Sequence, residues 1–157
     1  MKKVILVRHG EALPTDLGST DYERILSENG KHFVRVQGGK VKENGWSIDH
    51  MITSAAIRTK QTGILLANEL GYNKDLIHFE DQIYEAPISR LLDVFEKLDN
   101  NKQCIVWVGH NPGISHLHYY LTLDSFSFSP GNVSLLELEI EDWDAHFEAC
   151  GTTIKTY

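Results

Sequence analysis

The stretch "KVILVRHGEA", residues 3–12, joins a run that belongs in a core to residues that belong in a reaction. Residues 3–7 form a continuous apolar run after the lysine, rich in β-branched residues, the pattern of a parallel strand buried on both faces. Arg8, His9, Gly10 and Glu11 then arrive together. In open α/β sheets, ligands bind outside the carboxyl ends of the strands. A strand that delivers four such residues at its tip therefore predicts a site there, provided the rest of the chain supplies parallel neighbours.

It does. "DHMIT" (49–53), "LIHFEDQI" (76–83) and "CIVWVGH" (104–110) read as further strands. Between them lie helix-like segments. Residues 27–45 form a weak helix with Ser27 as N-cap, interrupted by Gly38 and Gly39, each of which costs about 1 kcal/mol against alanine inside a helix. Residues 55–71 form a stronger one, with Ile64/Ala67 and Leu66/Leu70 at helical spacings and Gly71 at the stop. Residues 89–98 are amphipathic, capped by Ser89, with Leu91, Leu92, Phe95 and Leu98 inward. Residues 111–123 leave the 104–110 strand as a helix, with Pro112 in the first turn. Residues 11–26 are polar and read as a surface loop, while 133–140 and 145–153 read as edge strands or a closing hairpin. Alternating strands and helices predict an α/β domain with a largely parallel central sheet.

Size and composition bound the remainder. The chain has 157 residues, the length of one ordinary domain, so a single domain over 1–157 is expected. A net charge of −7 argues against a general nucleic-acid binder but not against an anionic substrate held by a local arginine cluster. Cys104 and Cys150 sit far apart in apolar surroundings, which predicts reduced, buried thiols compatible with a cytoplasmic location. No secretory leader and no run of membrane-spanning length is visible, so a soluble chain is expected.

If the strands are parallel, their ends collect Arg8 and His9, Ser54 and Arg58, Glu85, and His110 and Asn111 along one edge of the sheet. Two guanidiniums and a histidine can bind a phosphoryl group through forked, charge-assisted hydrogen bonds. A second histidine, neutral, can attack phosphorus. A carboxylic acid can protonate the departing group and afterwards activate water.

With these residues assembled, the chain resembles the histidine phosphatase (phosphoglycerate mutase-like) superfamily. "LVRHGEA" is similar to its RHG signature, and "LSENG", "ITSAAIRTKQT", "IYEA" and "VGHNPGIS" agree in order and spacing. Among the branches, the short chain with RHGEA and GHNPG is most similar to SixA-type phosphohistidine phosphatases. The resemblance covers residue 3 to about 140 and implies a three-layer α/β/α sandwich without a metal or other cofactor. It implies His9 as the phosphate-accepting nucleophile, Arg8, Arg58 and His110 as the phosphate pocket, and Glu85 as the proton donor. The implied partner is a phosphorylated protein (phosphohistidine) or a small phosphorylated metabolite. Ser54-Ala55-Ala56 replaces the Ser-Pro that many members carry before the second arginine, and Ala12, Leu13 and Pro14 depart from the mutase-like pattern.

Each residue also has a plainer role to weigh. A lone histidine at a strand end is ordinarily a satisfied structural one; His9 is flanked by Arg8 and Gly10 and stands in step with Arg58 and His110. Glu11, Glu80 and Asp81 rival Glu85 as the acid, with Glu11 better suited to orienting local backbone or tuning pocket charge. Ser54 and Asn111 are candidates for added hydrogen bonds. His116 and His118, two apart on a helix, point to different faces and read as ordinary helix residues, and His32, His50, His78 and His146 form no ligand spacing. Tyr119, Tyr120, Phe126 and Phe128 are expected to pack, with Phe126 and Phe128 the alternative lining of a substrate surface.

Overall fold

The computed structural model describes residues 1–145 and 147–157. Six strands form one sheet: β1 (Lys2–Arg8), β2 (His50–Ser54), β3 (His78–Glu80), β4 (Cys104–Gly109), β5 (Val133–Leu138) and β6 (Gly151–Thr156). Their order across the sheet is β3-β2-β4-β1-β5-β6. β1, β2, β3 and β4 are mutually parallel, whereas β5 runs antiparallel to β1 and β6 antiparallel to β5. Four helices cover it: α1 (Glu28–Lys42), α2 (Ile57–Leu70), α3 (Ile88–Phe95) and α4 (Gly113–Thr122).

The period of two in the central strands divides the core. Val4 and Leu6 of β1, Ile105 and Trp107 of β4, and Leu136 of β5 pack on one face with Leu91 and Phe95 of α3 and Ile114 and Leu117 of α4. Ile5 and Val7, Val106 and Val108, and Val133 and Leu135 pack on the other with Val34 and Val41 of α1 and Leu66 of α2. The result is an α/β/α sandwich, and β1 and β4 read as unbroken apolar runs because both of their faces are covered.

Several local expectations shift. The 76–83 strand contracts to β3, a three-residue edge strand followed by a 3-10 turn, Asp81–Ile83. The N-cap of α3 is Pro87, not Ser89, since the helix starts one residue earlier than Ser89. Of the two late strands, β5 is interior, paired on both sides, and β6 is the edge opposite β3; the 145–153 strand becomes 151–156. His146 lies outside the described residues. Ile64 and Tyr119 are exposed rather than packed, because each lies on the solvent side of its helix. Ser27 does cap α1, accepting from the Gly30 amide at 2.9 Å, and Gly71 ends α2 in the left-handed conformation. The cysteines are both free, Cys104 buried and Cys150 half-buried. Among the described residues, no helix is long and apolar enough to cross a membrane.

Candidate active site

Strand register brings the site together. Arg8 lies opposite Gly109, and Thr53 opposite Val108, so the carboxyl ends of β1, β4 and β2 stop at one level. His9 and His110 emerge side by side, their rings 5.2 Å apart. Arg58, in the first turn of α2, points back over the same edge and is 4% exposed. A cleft of about 320 Å³ is lined by Arg8, His9, Arg58, Glu85 and His110, all five expected from the sequence, and also by Glu11, Asp21, Arg24 and Asn111.

The hydrogen bonds decide which nitrogen of His9 faces the cleft chemistry. Nδ1 lies 2.8 Å from the Gly10 carbonyl oxygen, which can only accept, so Nδ1 carries the proton. Nε2 is then a lone-pair nitrogen in the neutral ring, and Arg58 Nε donates to it at 3.3 Å. Burial, aided by the charges of Arg58, Arg8 and Arg24, lowers the His9 pKa to about 4 against the opposing Gly10 hydrogen bond. The ring is neutral through the ordinary pH range.

His110 follows the same logic. Its Nδ1 faces Arg58 Nη2 at 3.3 Å, and an arginine nitrogen can only donate, so Nε2 carries the proton and donates to Ser54 Oγ at 2.8 Å. Burial first, then the neighbouring His9 and Arg58, lowers its pKa to about 3. Arg8 donates through Nη1 to the Phe128 carbonyl at 2.8 Å, while its Nε is buried with no hydrogen-bond partner among the described residues. Two cations and two neutral imidazoles held this closely, with a guanidinium donor left unpaired, suit an anion with several acceptor oxygens.

Gly10 owes its identity to packing. A Cβ there would meet Val34 Cγ2 at 2.8 Å and the Gly30 carbonyl at 3.1 Å, so α1 can press against the RHG turn only where a side chain is missing.

The carboxylates separate. Glu85 is exposed, borders the cleft, and holds a backbone φ of 47°. A non-glycine residue in the left-handed region is uncommon and costs about 1–2 kcal/mol. Glu11 is committed to the cap of α1, accepting from Ser27 Oγ at 2.5 Å. Glu80 accepts from the Gln82 amide at 2.9 Å and Asp81 from Tyr22 at 2.6 Å, and neither borders the cleft. Ser54 and Asn111 spend their side chains on protein partners: Ser54 on His110, and Asn111 on the Phe128 carbonyl and Ser115. Phe128 is core, though its carbonyl anchors both Arg8 and Asn111.

Sequence reading missed "DYER", residues 21–24. The 11–26 segment leaves and returns beside itself, tied by Leu13 N to Ile25 O and by Ser27 N to Glu11 O, each at 2.9 Å. This lays a 3-10 turn, Asp21–Glu23, against the cleft. Arg58 donates through Nη1 to the Asp21 carbonyl at 2.5 Å and through Nη2 to Asp21 Oδ2 at 2.9 Å. Tyr84 donates to the same Oδ2 at 2.7 Å. The Tyr84 hydrogen bond foremost, with Arg24 and Arg58, holds the Asp21 carboxyl at about 2 against some burial, so Asp21 is an anchor for Arg58 and not an acid. An Asp and an Arg three apart, shortly after RHG, was the available signal.

Among the described residues, no group of three histidine, cysteine or carboxylate side chains is placed to hold a metal ion.

No protein-family model matches the chain. The solved structure of the protein histidine phosphatase SixA complexed with tungstate superimposes with a TM-score of 0.83 at 18% identity, covering 98% of this chain and 95% of that one. A mycobacterial glucosyl-3-phosphoglycerate phosphatase superimposes at 0.70 with 12% identity over 98% and 97% of the chains. In sequence, the serine/threonine-protein phosphatase Pgam5 of Drosophila persimilis is 36% identical over 73 residues, which are 46% of this chain and 25% of that protein. The chain thus matches about a quarter of the length of that relative. An uncharacterised chloroplastic protein of Arabidopsis thaliana is 24% identical over 96% of this chain and 72% of its own. The fold is that of the SixA phosphatases, in keeping with the resemblance read from the sequence, and part of the chain is similar in sequence to a protein phosphatase.

Proposed function

We propose that this chain, built on the fold of the SixA phosphatases, is a metal-independent phosphatase acting through a covalent phosphohistidine on His9, with a protein phosphohistidine as its substrate. The observation that carries the reading is the state of His9: Nδ1 is held by the Gly10 carbonyl, and Nε2 is unprotonated, desolvated and faces Arg58.

In the first step, the Nε2 lone pair attacks phosphorus and the bond from phosphorus to the leaving atom breaks. Glu85 gives a proton to that atom. Arg8 and Arg58 hold the equatorial oxygens, and the phosphoryl dianion offsets the burial that otherwise keeps His110 neutral, so that His110 takes a proton from solvent at Nδ1 as the dianion binds and donates it to a phosphoryl oxygen as a hydrogen bond. In the second step, the Glu85 carboxylate takes a proton from water, the oxygen attacks phosphorus, and the phosphorus–Nε2 bond breaks. Inorganic phosphate leaves and Glu85 is again protonated. A phosphohistidine substrate relaxes the demand on Glu85, since its leaving atom is a basic nitrogen.

The test is to trap labelled phosphoenzyme under non-acidic conditions and to compare turnover of a phosphohistidine protein with sugar phosphates and nucleotides. His9→Ala abolishes both label and turnover, and Arg8→Ala or Arg58→Ala each lowers the rate about 10²- to 10³-fold. A His9→Ala protein with the wild-type rate would end the proposal. A strong preference for small esters would keep the chemistry and move the substrate to a small phosphorylated metabolite. Phosphate binding without any phosphoenzyme would instead favour a non-catalytic phosphate-binding module.

A further inference from the structure

A second cleft, of about 520 Å³, adjoins the phosphate pocket and shares Glu85, His110 and Asn111 with it. It runs between the end of β4 with the start of α4 and the turn leading into α3. Its far walls are apolar, formed by Ile83, Ala86, Ile88, Leu91 and Ile114. Trp107, fully buried, lies at its base, and the indole N–H has no hydrogen-bond partner among the described residues. A buried donor without an acceptor is destabilising. The volume is that of a small-molecule site, which typically spans about 300–1,000 Å³.

We propose that this cleft is the leaving-group subsite, and that it takes a flat, largely apolar ring system bearing a hydrogen-bond acceptor. The inference rests on the phosphatase reading and deepens it. Glu85 borders both clefts. A residue that protonates the leaving atom must touch it, so that atom lies at the shared wall. The phosphoryl group occupies the cationic side, with Arg8, Arg58 and His9. The body attached to the leaving atom therefore extends to the other side, where the walls are apolar and bury a ring favourably. An acceptor on that ring meets the free N–H of Trp107 once Ile114, which lies beside Gly109 and the indole, gives way slightly. The ring has two possible sources, an aryl ester of phosphate or the imidazole of a phosphohistidine with its flanking residue.

The experiment compares kcat/KM for phenyl phosphate and 2-naphthyl phosphate. Their leaving groups are of similar acidity, so the ratio reports burial of the second ring and not chemistry. The wild type favours the naphthyl ester by about tenfold, equivalent to about 1.4 kcal/mol. Ala86→Trp fills the cleft and brings the ratio to about one; Ile88→Phe, on the half-buried first residue of α3, is the second variant should the first fail to fold. A wild-type ratio near one overturns the subsite while leaving the phosphatase reading intact. A ratio that survives both variants also overturns it. Absence of turnover on every phosphate, with no phosphoenzyme, sinks the phosphatase reading itself, and this inference with it. A phosphohistidine peptide turned over faster than 2-naphthyl phosphate, with the same loss in the variants, supports the cleft with a protein substrate. The reverse order supports it with a small ester.

Discussion

Acidification should destabilise this protein through its two buried histidines, in a pH window set by their burial. An unfolded imidazole takes a proton near 6.5, whereas in the fold burial holds His9 to about 4 and His110 to about 3. Above 6.5 both states are neutral at these positions and stability is independent of pH. Between 6.5 and about 4 the unfolded chain binds more protons, so stability falls as pH falls. Each histidine withdraws about 1.4 kcal/mol per pH unit once well inside the window, and between pH 7 and pH 5 the pair removes about 4 kcal/mol. That is a large share of the roughly 5–15 kcal/mol that folds a domain. Urea titrations followed by tryptophan fluorescence at pH 7, 6 and 5 measure it. His9→Asn and His110→Asn each abolish about half of the dependence. His50 and His118, also lowered by burial, remain in every variant and cancel in the comparison. Wild type and both variants losing stability in parallel would refute the argument. In turnover, the same burial places the acid limb of kcat/KM near pH 4 and not near 6.5, since the free enzyme's His9 stays neutral down to that value.

Asp21→Ala removes the carboxylate that accepts from Arg58 Nη2 and Tyr84, and a displaced guanidinium should lower kcat/KM about 10- to 100-fold with the fold intact by circular dichroism. Two glycines of α1 should answer oppositely to alanine in thermal melts. Gly39→Ala, with open space around the added carbon, stabilises by about 0.5–1 kcal/mol. Gly30→Ala drives a methyl into the Glu11 backbone and costs about 3 kcal/mol or more. Treatment with a chelator, followed by assay of phosphate release, leaves the rate unchanged if the four residues Arg8, His9, Arg58 and His110 carry the electrostatics alone.

Much of this was legible because local pattern carried it. Val4 to Val7 are apolar without a break, so β1 had to be buried on both faces, and the same holds for β4. Strand ends in a parallel sheet face one way, so Arg8, His9, Arg58 and His110 could be gathered before any coordinates. Glu85 could be brought to the cleft by the same rule, although what sets it apart from Glu80 and Asp81, its left-handed backbone beside the cleft, is a matter of geometry. β3 was overextended in prediction because Ile77 and Ile83 are apolar, but Ile83 belongs to a 3-10 turn that packs under α3 and not to the ladder.

What the residues dictated alone is the set of elements, their polarity and the chemistry at their tips, because hydrophobic period and capping act over a few residues. What folding added is the holding of that chemistry. Arg58 is fixed by Asp21, 37 residues away, and Arg8 by the Phe128 carbonyl, 120 residues away. The tautomer of His110 depends on Ser54 and Arg58, and the desolvation of both histidines on the helices around them. The apolar cleft beside the phosphate pocket exists only where β4, α3 and α4 meet. Contacts of this kind carry no periodicity along the chain, since each is made by residues whose spacing is set by the packing of whole layers.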